Sequence, residues 1–376
     1  MPRMSARELN SSPLGRRRFL QLGGLGAVAL GAGGLLAACG GSPSATGSSS
    51  GLGTLGIQLS WIKNIEFAGE YFADAKGYYT QAGFSGVNLI AGGSAGTSAE
   101  AAVATGKALM GLSSPTLTAP AILQGAQLKT IASTYQKNPF CILSIDSDPI
   151  PTVRAMKGKK IGVQSGGNTT IFKGLLKANG MSESDVTIVP VQYDPTVVTT
   201  GEVAGYMAYT TNEPILLRMK GFKTVQFLFA DYNLPFVAET MVVSQSSIDH
   251  DRAKLKALLV AEIKGWTDAV ASPSQAANYA VTGYGKDQNL SVDEQTAEAV
   301  AQNGLVVSPD AIKNGLFTLS DALIADNIKA LANMGVDITA DKLFDLSLLK
   351  EVYQENPGLI SSFAAAAGSA TPTPGK

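Results

Sequence analysis

Phe140-Cys141-Ile142-Leu143-Ser144-Ile145, Asp146-Ser147-Asp148-Pro149-Ile150-Pro151, Lys160-Ile161-Gly162-Val163 and Ser165-Gly166-Gly167-Asn168 follow one another in the chain and decide its organisation. Phe140 to Ile145 is an apolar run too short for a helix, so it reads as a buried strand. The Asp- and Pro-rich stretch after it is punctuation. Lys160 to Val163 is again strand-like, and the glycine turn leads into a helix from Thr169 that Asn179-Gly180 stops. A second α/β unit therefore begins after the punctuation.

Upstream, Gly56 to Leu59, Val87 to Ile90, Ala108 to Leu112 and Leu128 to Tyr135 read as strands. Helical patterns after Glu66, over Ser98 to Thr105 and over Pro115 to Leu123 separate them. Downstream, Val186 to Val191, Gly205 to Tyr209 and Thr224 to Leu228 continue the alternation, with a helix over Glu213 to Lys220, and Thr240 to Ser244 leads back. Beyond it the pattern is nearly all helical: Leu255, Leu258, Leu259, Ile263, Trp266 and Val270 share one face. Further helices are expected at Ser274 to Tyr284, Ser291 to Gln302, Leu319 to Met334 and Leu346 to Tyr353. The expected class is α/β with two lobes, each an α/β sheet, and a helical C-terminal part. Lobe 1 is assigned residues 55–145 and 241–362, and lobe 2 residues 146–240. Crossings near Ile145 and Met241 form the hinge. Facing strand ends would define a cleft that closes on a small molecule.

Residues 1–38 read as an export signal. Arg16-Arg17-Arg18-Phe19-Leu20 resembles a twin-arginine pattern, and Leu36-Ala37-Ala38-Cys39 resembles the lipobox of bacterial lipoproteins. Cys39 is the expected lipidation site, residues 39–54 a flexible linker and residues 363–376 a disordered tail. A transmembrane reading of Phe19 to Ala38 is the competitor, but its six glycines and the following Cys favour cleavage. The remaining chain has 24 basic and 29 acidic residues, a balance that argues against nucleic acid or an anionic lipid surface. With Cys39 lipidated, Cys141 has no partner for a disulfide and reads as a buried, inert thiol. The single histidine, His250, lies between Asp249 and Asp251 where a helix is expected to begin. One such residue builds neither a metal site nor a hydrolytic triad, and no common nucleotide-binding or hydrolase motif is present. No cofactor, metal or enzymatic activity is expected.

Leu59-Ser60-Trp61-Ile62-Lys63-Asn64-Ile65-Glu66-Phe67-Ala68-Gly69, with Ala75 to Tyr79 and Gly83-Phe84, resembles the opening of the substrate-binding proteins of ABC importers. The branch is the one related to thiamine-pyrimidine synthase and pyrimidine-precursor binding. Gly92-Gly93, Ala102 to Gly106, Gln136, Gly158 to Val163, Thr211-Asn212-Glu213-Pro214 and Gly221 continue the likeness over most of the chain after residue 38. The resemblance implies a type II periplasmic-binding fold and places Trp61 in the cleft, where its face can stack on a flat heterocycle. Asn64 either hydrogen-bonds that ring or caps the next helix. Tyr209, Asn212 and Glu213 close a strand at the cleft edge, and Glu213 either accepts N–H bonds from an aminopyrimidine or serves the helix dipole. Ser113-Ser114 and Asn168 offer polar groups from strand-to-helix turns, whereas turn chemistry alone accounts for Gly166 and Gly167. Gln136 and Glu239 are further wall candidates. The synthases carry a His in the Trp-led motif and a cysteine-rich run; here Glu66-Phe67 stands at that place and no such run exists. A self-consuming synthase is therefore not implied, and a polar contact used by some relatives is expected to be lost.

The resulting expectation is a monomeric, lipid-anchored binding protein on the outer face of a bacterial cell membrane. It captures a thiamine-pyrimidine-like heterocycle and delivers it to a permease driven by an ATPase. Sulfonate, nitrate or flavin ligands are the alternatives, followed by a synthase-like enzyme or a sensory lipoprotein. An anion would want basic side chains, and Lys63 is the only one placed near the cleft.

Overall fold

The computed structural model describes residues 51–94 and 96–370. The proposed signal, Cys39 and most of the linker lie outside them. The described part forms one unit with two five-stranded mixed sheets. The first contains β1 (Thr54–Gln58), β2 (Gly86–Ile90), β3 (Met110–Ser113), β4 (Leu128–Tyr135) and β10 (Ala238–Ser244), in the order β2-β1-β3-β10-β4. The second contains β5 (Phe140–Ile145), β6 (Lys160–Gln164), β7 (Thr187–Val191), β8 (Gly205–Tyr209) and β9 (Thr224–Leu228), in the order β7-β6-β8-β5-β9. The two sheets share one plan. Three parallel strands meet one antiparallel strand, β10 in the first sheet and β5 in the second.

That plan moves a boundary. Phe140–Ile145 was expected in the first lobe but pairs with β8 and β9, so the first crossing is residues 136–139. The run is almost wholly buried, as a strand covered on both faces must be, and apolar character alone does not say which sheet takes it. The second crossing, residues 229–237, lies just before β10. Asn138 ties the crossings together: its Nδ2 donates to the Leu234 carbonyl at 2.8 Å, while its Oδ1 accepts the Phe140 N–H at 2.9 Å.

The first core lies between its sheet and the helices Ala68–Ala75 and Arg252–Ala271. These helices cross at a glycine contact, because a Cβ on Gly265 would strike the Gly69 carbonyl and one on Gly69 would overlap the Trp266 ring. The second core gathers Ile142, Ile161, Phe172, Met207 and Phe236. Ala330 and Met334, from the helical part assigned to lobe 1, also pack there.

Two further expectations are corrected at the ends. Leu52 already donates its N–H to Gly83 O at 2.9 Å and β1 starts at Thr54, so the linker ends earlier than residue 54. The expected tail is helical through Ala370, within helix Gly358–Ala370, because Phe363 and Ala367 supply apolar anchors that are buried. His250 closes helix Gln245–His250 instead of opening one, and Asp251 precedes the next helix. Cys141 is a free, buried thiol whose pKa burial pushes up. No described helix is long and apolar enough to cross a membrane.

Candidate functional site

The carboxyl ends of β1, β3, β6 and β8 converge on a cavity of about 590 Å³, where β10 also begins. Its size falls within the range of about 300–1,000 Å³ usual for small-molecule sites. The antiparallel direction of β10 is what brings Glu239 to this rim. Glu239 has φ 49°, a left-handed backbone that is costly for a residue with a Cβ.

From the first lobe come Ser60 and Trp61 after β1, Glu66 in the first helical turn, Ser113 at the end of β3 and Ser114 after it, Glu100, and Glu239. From the second come Phe140, Asn168, Tyr209, Asn212 and Glu213. Thus eight of the ten expected contacts share one cavity: Trp61, Ser113, Ser114, Asn168, Tyr209, Asn212, Glu213 and Glu239. Asn64 and Gln136 are not in its wall. Asn64 Oδ1 accepts the Glu66 N–H at 3.0 Å and so caps the turn, and Gln136 Nε2 donates to Ser133 O at 3.0 Å beside the crossing. Lys63 does not line the cavity either.

Trp61 is half-buried and meets Tyr193 edge-on, with ring centroids 5.0 Å apart. Tyr193 follows β7 of the other sheet, and its hydroxyl lies 3.3 Å from Ser94 Oγ. A glycine is needed opposite it: at Gly93, with φ 96°, a Cβ would approach the Tyr193 hydroxyl to 2.7 Å. Sequence reasoning missed Tyr193 because nothing local marks it. Phe140 stands edge-on to Tyr209 at 4.6 Å and completes the aromatic wall.

The polar wall is acidic. Ser113 and Thr118 both donate to Glu100 Oε1, the latter at 3.0 Å. Glu213 Oε2 accepts the Tyr209 N–H at 2.9 Å, and burial pushes its pKa up to about 7. Ser60 Oγ donates to Glu239 Oε2 at 2.8 Å, and burial pushes that carboxyl up to about 7 as well. Glu66 is raised well above the usual range by burial and then by Glu239. The expected loss of a polar contact at this position is therefore corrected, since Glu66 itself brings a carboxyl to the wall. Its signal was present as an acid set between Ile65 and Phe67, in a turn facing the core. No Lys, Arg or His is among the residues lining the cavity. Among the described residues, no three His, Cys, Asp or Glu side chains are grouped to hold a metal ion.

Residues 64–276 match the family described as NMT1/THI5 like. The chain belongs to that family. Riboflavin-binding protein RibY of Chloroflexus aurantiacus is 30% identical over 224 residues, which cover 58% of this chain and 63% of that protein. The match thus spans less than two thirds of that relative's length. Among solved structures, the fold is similar to a ligand-binding component of an ABC-type import system from Staphylococcus aureus, with TM-score 0.58 and 12% identity over 80% of this chain and 98% of that one. It is also similar to the periplasmic nitrate-binding protein NrtA of Synechocystis PCC 6803, with TM-score 0.56 and 13% identity over 85% of this chain and 98% of that one. The family member described here therefore has the periplasmic-binding-protein fold.

Proposed function

We propose that this chain is the extracytoplasmic solute-binding component of an ABC importer, a binder and not an enzyme, whose ligand is a nitrogenous heterocycle bearing N–H or O–H donors. The composition of the cavity wall carries this reading: aromatic faces from Trp61, Phe140 and Tyr209, four carboxyls, and no cationic side chain. Flat rings gain from the aromatic faces, and donor groups gain from the carboxyls. Nitrate or a sulfonate would have to enter an acidic wall without a counter-charge, which desolvation makes unfavourable. Such anions are the weaker ligands on this ground.

Within the heterocycle class, similarity to a riboflavin-binding protein supports a flavin as the first compound to test. The aminopyrimidine of thiamine is the second. In the proposed cycle the lobes close about residues 136–139 and 229–237, and the closed form docks on a permease whose ATPase drives release inward. Lipidated Cys39 holds the monomer at the outer face of the membrane.

The test is ligand-induced stabilisation of the unlipidated body with riboflavin, the aminopyrimidine, nitrate and taurine. A true ligand at 100-fold its Kd stabilises by about 2.7 kcal/mol. Stabilisation by nitrate or taurine, with none from either heterocycle, overturns the reading.

A further inference from the structure

Glu66 and Glu239 meet in the cavity wall, 94% and 98% buried respectively, with no cation beside them. Two carboxylates in such contact cannot both be ionised without a large cost, so the pair retains one proton. The donors around the pair decide where that proton sits. Glu239 Oε2 accepts the Ser60 hydroxyl at 2.8 Å, and the Tyr209 hydroxyl also favours its charged form. The group set against the Glu66 carboxyl is Glu239, and the other charges acting on it are acids, Glu213 and Glu298.

We propose that Glu66 is the proton-bearing, specificity-determining residue of the cleft, and that it and ionised Glu239 together read the hydrogen-bonding edge of the ligand. On binding, the neutral Glu66 carboxyl turns its one O–H from Glu239 to a ring nitrogen or carbonyl, while Glu239 exchanges that bond for an adjacent ligand N–H. An imide edge of a flavin and the amino–nitrogen edge of an aminopyrimidine both offer that alternation. This inference rests on the heterocycle reading of the cavity and adds a consequence: capture depends on pH. Acids on the neighbouring elements oppose loss of the proton. Glu213 faces the pair from the helix after β8, Glu298 from helix Val292–Val306 with Glu294 beside it, and Glu70 from its own side, while the phenols of Tyr135 on β4 and Tyr209 on β8 adjoin the pair uncharged. The charge of Lys220 reaches only Glu294 in this set. Raising the pH strips the proton and turns the donor into a second anion, so affinity falls.

The experiment measures the Kd of riboflavin by fluorescence quenching in the unlipidated body between about pH 6 and pH 9, with the aminopyrimidine as probe if riboflavin does not bind. For the wild type, Kd should rise about tenfold per pH unit once the pair loses its proton. Glu66→Gln keeps a donor and an acceptor but cannot titrate, so its Kd should change less with pH than the wild type's, any remaining slope coming from Glu213 and Glu239 in the same wall, both raised to about 7. Because this variant retains the other buried acids, its binding at high pH also shows that the fold persists there. A flat wild-type profile, or a Glu66→Gln profile that falls in parallel with it, overturns the proton-sharing reading and leaves the heterocycle assignment standing. Failure of both probes to bind at every pH overturns both.

Discussion

Replacing Glu262 by Gln should make the protein more stable, and increasingly so as pH rises. Glu262 lies on helix Arg252–Ala271, is 0% exposed, and accepts the Tyr79 hydroxyl at 2.7 Å through Oε1, while Oε2 has no partner. Burial pushes its pKa from 4.5 to about 8. The folded chain therefore holds a proton that the unfolded chain releases. Its stabilising contribution is fully present below about pH 4.5 and is lost as pH climbs towards 8. At about 1.4 kcal/mol per pH unit, the loss between pH 5 and pH 8 is roughly 3 to 4 kcal/mol. Gln removes the titration while its carbonyl can still accept the Tyr79 bond. Urea unfolding of both proteins at the two pH values gives the difference directly. The reasoning fails if the stability gap between Glu262→Gln and wild type is the same at pH 5 and pH 8.

Trp61→Ala should weaken heterocycle binding more than tenfold while shifting the melting temperature little, since this half-buried ring lines the cavity and contributes less to the core; unchanged affinity by titration calorimetry would remove it from the site. Gly69→Ala should cost roughly 1–3 kcal/mol in urea unfolding, because the new methyl has no room beside the buried Trp266. Tyr193→Ala removes an edge-on ring contact between the sheets and a hydroxyl contact to Ser94, so ligand should dissociate several-fold faster in stopped flow. Cys39→Ser should move the full-length chain from the membrane to the soluble fraction on fractionation; continued membrane association would count against lipid anchoring at that residue.

The strands were legible because most are short apolar runs bounded by polar or turn-forming residues, and a buried strand has little freedom to look otherwise. Leu128–Tyr135 and Phe140–Ile145 fall where the pattern puts them. What periodicity does not encode is partnership. β5 and β10 each follow a crossing, and only the pairing shows which sheet takes each. The same limit hid Tyr193, whose relevance comes from Trp61 in the opposite half.

The site divides along a related line. Residues at strand ends were foreseeable, because strand ends are where open sheets expose polar groups, and Ser113, Tyr209 and Glu213 lie there. Their electrostatics were not foreseeable from spacing. Glu66 and Glu239 are 173 positions apart, and each taken singly resembles an ordinary helix-start or strand-start acid. Only folding sets them against one another at a rim without a cation, and that arrangement separates a wall suited to donor-bearing rings from one suited to anions. One fold can therefore take ligands of different charge, since the sheets fix where the cleft lies and a few side chains at their ends decide what it accepts.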